Sequence, residues 1–177
     1  NPLLIAIKCS SKNEMPNLMD TILNVGLTEE IVESLSNNTN DFFWIWECYL
    51  NFINDYSKNI IGVDLECFEQ IQNILKNKLD LSKEELKNLS NKLKSEYRLK
   101  THTEFPNNFE EQLYSIINFA FKSWNNERAI IYRKDMGIPF ADGLAICIQS
   151  MVFGNRKRHY PQLKSFKRRK SFIHWKN

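Results

Sequence analysis

Leu3 to Ile7 is a short unbroken apolar run that opens into Lys8-Cys9-Ser10-Ser11-Lys12, the pattern of a buried strand ending in a polar loop, with Lys8 at the strand's end. Between Met15 and Leu27, Pro16 can open a helical turn and Gly26 can close it, which predicts a short helix followed by a turn. From Thr28 onward the spacing is helical. Thr28 followed by Glu29 and Glu30 marks a helix start, and Phe42, Trp46, Tyr49, Ile53 and Tyr56 recur as one core-facing stripe. After Gly62-Val63-Asp64 a second stripe runs through Phe68, Ile71, Leu75 and Leu79. Ser82 and Glu85 then form a capping box ahead of Leu86, Leu89, Leu93 and Tyr97, so these two stripes read as an antiparallel helix pair.

Pro106 ends that section, and Asn108 with Glu111 caps a further amphipathic helix through Leu113, Ile116, Ile117, Ala120, Phe121 and Trp124. Asn125 and Asn126 interrupt it before Ala129 to Lys134, whose spacing suits either a helix or a strand; we read it as helix. Gly137-Ile138-Pro139 is a break, and Gly143 to Phe153 is an apolar run of strand length, read as a central strand. The pattern therefore predicts a helix-rich α+β fold, with strands only near 3–8 and 144–153 and helices through most of 28–124. It divides the chain at 1–27, 28–107, 108–155 and 156–177, with no internal repeat.

Composition narrows the class. Of 177 residues 42% are apolar and 25% charged, the balance of a soluble globular protein, and no apolar run reaches the roughly 18 residues of a membrane helix. The first residues lack the basic lead, long apolar stretch and cleavage site of a secretory signal, and the missing initial Met points to coding sequence upstream or to an excerpt of a longer chain. Cys9, Cys48, Cys67 and Cys147 are widely spaced and form no C-x-x-C pair, which implies reduced thiols in a cytoplasmic protein and neither a zinc ribbon nor a redox motif. All 21 acidic residues lie at or before Asp142, while nine of the 24 basic residues follow Asn155, so the net charge of +3 divides into −6 for residues 1–155 and +9 for the tail.

Three stretches resemble the nucleotide-binding region of the pyruvate phosphate dikinase family. The first is Asn1 to Ser11 continued by Met15 to Leu27, where family members read much like N-P-L-L-V-S-V-R-S-G-A followed by M-P-G-M-M-D-T-I-L-N-L-G-L. The second is Ser123-Trp124-Asn125-Asn126-Glu127-Arg128-Ala129-Ile130-Ile131-Tyr132-Arg133, and the third is Gln149-Ser150-Met151-Val152-Phe153-Gly154-Asn155. They follow the family's order, and the resemblance stops at Asn155.

The resemblance implies a partial ATP-grasp-like domain: 1–27 as part of the first lobe, 28–107 as an inserted helical subdomain, and 108–155 as the lobe's continuation. It implies an enzyme that converts ATP, phosphate and pyruvate to AMP, pyrophosphate and phosphoenolpyruvate through a phosphohistidine on a separate domain, assisted by Mg2+ and a monovalent cation. In such chemistry the protein positions the polyphosphate and neutralises its charge. Lys8 matches a family Arg that contacts ATP phosphate; Lys keeps the charge but loses the planar fork that holds two phosphate oxygens, so weaker binding is expected. Cys9-Ser10 replaces a Ser-Gly pair that allows close backbone approach, and Asn17 replaces a Gly.

Gln149 and Met151 are expected near the nucleotide, on one face of their strand because side chains alternate. Met15 and Asp20 belong to the motif loop. Arg128 and Arg133 are read as surface partners of acids such as Glu127. None of His102, His159 and His174 has the Gly-Gly-x-Thr-Ser-His context of the phosphocarrier histidine, so no catalytic residue and no metal ligand is assigned. The family's early glycine-rich lysine segment and its metal-binding carboxylates find no match here. The expected role is thus that of a fragment, inactive alone, with ATP and the remainder of a dikinase as partners and with no membrane partner.

Two other classes compete. The tail combines Arg156-Lys157-Arg158-His159-Tyr160 and Lys167-Arg168-Arg169-Lys170 with Phe172 and Trp175, a composition that attracts polyanions without sequence specificity. The helical section could also persist as a non-catalytic interaction remnant. The break at Asn155 reads as a reading-frame lesion: back-translated with A- and T-rich codons and read one base later, Phe166 to Trp175 yields a charged turn followed by an apolar strand. A tail of that origin is expected to be disordered, because nothing selected it to match the core.

Overall fold

The computed structural model describes residues 2–13, 21–38, 41–77, 81–139 and 142–151. Met15, Asp20, Leu79 and the basic tail fall outside them. The elements are β1 (Ile5–Ser11), β2 (Ile22–Val25), α1 (Glu29–Asn37), α2 (Phe42–Tyr56) with a π-helical turn at Ser57–Ile61, α3 (Cys67–Asn77), α4 (Lys83–Thr101), α5 (Phe109–Trp124), α6 (Glu127–Asp135) and β3 (Leu144–Ser150). The fold is α+β and helix-rich, as the pattern predicts. No helix among the described residues is long and apolar enough to cross a membrane.

The helices begin where their caps stand. Thr28 accepts from the Ile31 N–H, Asn108 from Glu111 and Asn126 from Ala129, while Ser82 and Glu85 close the expected capping box in both directions. Ala129 to Lys134 is indeed helix. The stripe of α2 buries Trp46, Tyr49, Ile53 and Tyr56, and α2 packs against α1, α4 and β2. Phe105, in the segment between α4 and α5, meets Phe52, Tyr56 and Tyr97 edge-on or nearly so at centroid distances of 6.0, 5.3 and 5.4 Å, joining α2 to α4. α3 and α4 run antiparallel, with the start of α3 beside Glu96 late in α4.

The sheet departs from expectation in three ways. Ile22–Val25 is strand and not helix: Ile5 pairs with Val25 and Ile7 with Ile22, so β1 supplies the backbone partners that a helix would have found internally. Asn24 (φ 62°) and Gly26 (φ 99°) are left-handed, which a continuing helix forbids. β1 runs on to Ser11, because Cys9, Ser10 and Ser11 pair with Ile146, Ala145 and Leu144; Lys8 is therefore mid-strand and not at the end. The order is β2-β1-β3, so β1 is central and β3 is an edge among the described residues. Burial agrees: Leu4, Ile5, Ala6 and Ile7 are all buried, whereas β3 alternates with partial exposure. One apolar cluster runs from Leu4 and Ile7 through α2, α3 and α4 to Ile116 of α5.

Candidate functional site

Antiparallel pairing puts partnered residues on the same face of a sheet. Ala6 pairs with Gln149 and Lys8 with Cys147, so Lys8 and Gln149 are diagonal neighbours on one face. Lys8 is exposed and Gln149 half-buried. The strand positions of that face, Ala6, Lys8, Ser10, Ala145, Cys147 and Gln149, include one cation and no carboxylate. At the far end of the two strands, the side chain of Asn13 donates to Asp142 Oδ2 at 3.0 Å.

Met151 follows β3 and continues its ladder, donating its N–H to the Leu4 carbonyl at 2.8 Å. Its Sδ accepts the Asn24 N–H at 3.2 Å, and its side chain packs on the core. Met151 therefore ties β3 to the left-handed Asn24 of β2. The structure brings Lys8, Gln149 and Met151 together on two adjacent strands; Met15 and Asp20 lie outside the described residues.

A residue that the pattern did not single out secures this arrangement. Gln112 of α5, fully buried, accepts the Gly26 N–H at 2.8 Å through Oε1 and donates from Nε2 to the Pro106 carbonyl at 3.0 Å. A Cβ on Gly26 would stand 3.0 Å from the Leu3 carbonyl oxygen and 3.0 Å from Phe109, so the close approach requires glycine. The signal in the sequence is a polar side chain in line with Ile116 and Ala120 on the buried stripe of α5.

Arg133 is not a surface partner of Glu127. It is 3% exposed, its guanidinium lies 4.2 Å from the Trp124 ring centroid, and Nη1 donates to the Trp124 carbonyl at 2.5 Å. The Ser123 to Arg133 motif is thus a helix corner, in which Arg133 closes the end of α5 while stacking on its last residue. Its Nη2 is buried and has no hydrogen-bond partner among the described residues. Arg128 is exposed.

Elsewhere an open groove of about 730 Å³ runs along the start of α5, lined by Phe109, Glu110, Glu111 and Tyr114. Its carboxylates repel polyphosphate, and none of its lining residues belongs to the sheet. Among the described residues no group of three or more His, Cys, Asp or Glu is arranged to hold a metal ion. Burial pushes up the thiol of Cys9, and it raises Cys48 and Cys67 to about 12 with nearby carboxylates adding to the effect. These three thiols stay protonated at neutral pH.

The family model described as pyruvate phosphate dikinase, AMP/ATP-binding domain, matches residues 5–161. The match runs past Asn155 into the basic stretch. Pyruvate, phosphate dikinase of Clostridium symbiosum is 36% identical over 163 residues, covering 88% of this chain and 19% of that protein. The Rhizobium meliloti (strain 1021) enzyme of that name is 36% identical over 160 residues, covering 87% and 18%, and that of Giardia intestinalis is 34% identical over 161, covering 88% and 18%. The chain thus spans about a fifth of the length of these relatives.

Proposed function

The chain belongs to the pyruvate phosphate dikinase AMP/ATP-binding domain family, and on that premise we propose that the Lys8 and Gln149 face of its sheet forms part of an ATP site. The observation that carries the reading is the register, which sets an exposed cation beside an amide on a face whose described β1 and β3 positions carry no carboxylate. Lys8 contacts ATP phosphate as a point charge, Gln149 and Met151 border the nucleotide, and Met15 and Asp20 belong to the neighbouring motif loop. Lys8 compensates negative charge without offering the two-pronged geometry of an arginine, so it binds with less directional control.

In this reading residues 1–27 and 108–155 are parts of an ATP-grasp-like lobe, and 28–107 is an inserted helical subdomain. Mg2+ would accompany the polyphosphate and neutralise part of its charge; among the described residues no carboxylate cluster is arranged to hold it. The reaction of the parent protein is the cytoplasmic conversion of ATP, phosphate and pyruvate to AMP, pyrophosphate and phosphoenolpyruvate. This chain contributes positioning and charge neutralisation, supplies no phosphocarrier histidine, and does not complete the reaction alone. Its partners are ATP and the remainder of a dikinase, with no specific nucleic acid and no membrane.

Isothermal titration of Mg-ATP into the 177-residue chain tests the site. Lys8→Ala should weaken binding about 10- to 100-fold, the value of one charge-assisted hydrogen bond, and Lys8→Arg should hold or tighten it. Binding indifferent to Lys8→Ala would refute the assignment. Phosphoenolpyruvate formed by the purified chain in a coupled assay would refute its incompetence.

A further inference from the structure

At one end of the sheet Gly26 is wedged between Leu3, which leads into β1, and Phe109, the first residue of α5. The Gln112 amide spans this junction, holding the Gly26 N–H with its oxygen and the Pro106 carbonyl with its nitrogen. We propose, resting on the reading of the Lys8 face as part of an ATP site, that Gln112 is a positioning residue for that face: its amide sets where the end of β3, and with it Gln149, stands against Lys8.

Gln112 is fully buried, so it acts through the residues it holds. The turn at 24–27 is tight, with Asn24 (φ 62°) and Gly26 (φ 99°) left-handed and the Leu27 N–H returning to the Asn24 carbonyl at 3.0 Å. The Gly26 N–H goes to Gln112 and the Asn24 N–H to Met151 Sδ. One turn is therefore gripped by α5 from one side and by the residue after β3 from the other. Val25 pairs with Ile5 and Ile5 with Ser150, so the three strands stand in line at this end, and Met151 on Leu4 continues the ladder. Gln149 lies two residues before Met151 and diagonal to Lys8. A displaced turn thus moves the Met151 sulfur, and with it the part of β3 that carries Gln149.

The same amide sits where the chain enters and leaves the section α1 to α4. Residues 26–29 lead into α1, residues 106–109 lead into α5, and two hydrogen bonds join them. The Asn107 side chain accepts the Glu29 N–H at 3.2 Å, an exposed bond for which water can substitute. The bond from Gly26 to Gln112 is buried, and a buried N–H that loses its acceptor gains no water in exchange. The two neighbours of the amide require a group that accepts and donates at once. Glutamine does both, an ionised glutamate only accepts, and leucine does neither.

The test titrates Mg-ATP into the folded 177-residue chain and its variants. Gln112→Leu keeps the bulk, removes both hydrogen bonds and should weaken binding about 3- to 30-fold. Gln112→Glu, which keeps an acceptor for the Gly26 N–H, is read in its place if the leucine variant does not fold, with the same direction expected. Leu75→Ala opens a cavity in α3, which packs chiefly on α4, and should leave the affinity of the folded chain unchanged although it too lowers stability. Met151→Leu removes the sulfur acceptor at nearly constant volume, and its effect combined with Gln112→Leu should fall short of the product of the two separate effects. Without nucleotide, hydrogen exchange at the Met151 amide should accelerate in Gln112→Leu. Full binding by Gln112→Leu, equal weakening by Leu75→Ala, fully multiplicative effects in the double variant or an unchanged Met151 amide would each overturn the proposal while leaving the Lys8 assignment intact. Binding indifferent to Lys8→Ala, or none by the parent chain, would overturn the nucleotide reading and this positioning role with it.

Discussion

In the helical section, α1 to α4, most helix starts are closed by a side chain three residues upstream, as Thr28 does for Ile31, Asp41 for Trp44 and Ser82 for Glu85. In the sheet every backbone partner comes from elsewhere in the chain: β1 pairs with β2 over a short connection and with β3 across almost the whole described length. Helical structure here rests on local choices and is then packed, whereas the candidate site exists only once distant segments have met. Damage to helical packing should therefore lower stability with the site's register intact, and damage to the long-range clamps should disturb the site at a smaller cost.

The largest effect is expected from Phe105→Ala, which empties the junction of Phe52, Tyr56 and Tyr97. Loss of a buried aromatic with its cavity costs about 3–5 kcal/mol, read as a lower denaturant midpoint. A smaller loss, about 1–3 kcal/mol, is expected for Gln112→Ala, which strands the buried Gly26 N–H and the Pro106 carbonyl. That variant sharpens the comparison: hydrogen exchange should accelerate at Asn24 to Leu27, with α3 and α4 unchanged. Equal acceleration in both regions would show that they are not separable in this way.

How far each region was legible follows from the same contrast. The capping box at Ser82, the caps at Thr28 and Asn108 and the stripe of α2 could be read from neighbouring residues alone. β2 could not, because Pro16 and Gly26 bracket it as they would a helix, and only the approach of β1 makes those four residues extended. The sequence alone ends the first strand at Lys8 for want of β3, whose first residues prolong β1. The pairing of Lys8 with Gln149 on one face is likewise invisible without the register. The burial of Arg133 is equally invisible in the sequence, because its partner is the ring of Trp124, brought under it by the turn at Asn125 and Asn126.

One helix start breaks the local rule and gives the smallest of the predictions. The first turn of α3 is capped from α4: Glu96 accepts the Glu66 N–H at 2.7 Å and the Cys67 N–H at 3.0 Å. Burial opposes ionisation of Glu96. Hydrogen bonds from the Cys67 thiol, from those two N–H groups and from Lys100 outweigh it and hold the carboxyl down to about 2. The folded value lies below the unfolded one of about 4.3, so this contribution is complete above that pH and is lost as pH falls through about 2. Glu96→Gln should flatten the acid limb of the stability curve between about pH 5 and pH 2; an unchanged limb would mean that the cap contributes nothing.

The central claim is that a long-range register, not a local motif, makes the nucleotide face. Titration of Mg-ATP into the uniformly 15N-labelled chain, followed by amide chemical shifts, tests it most directly. The account predicts shifts concentrated at Lys8, Cys147 and Gln149 together, that is, on both strands at once, and their loss at the same nucleotide concentration in Lys8→Ala. Shifts confined to the groove at Glu110 and Glu111, or a full response in Lys8→Ala, would contradict it.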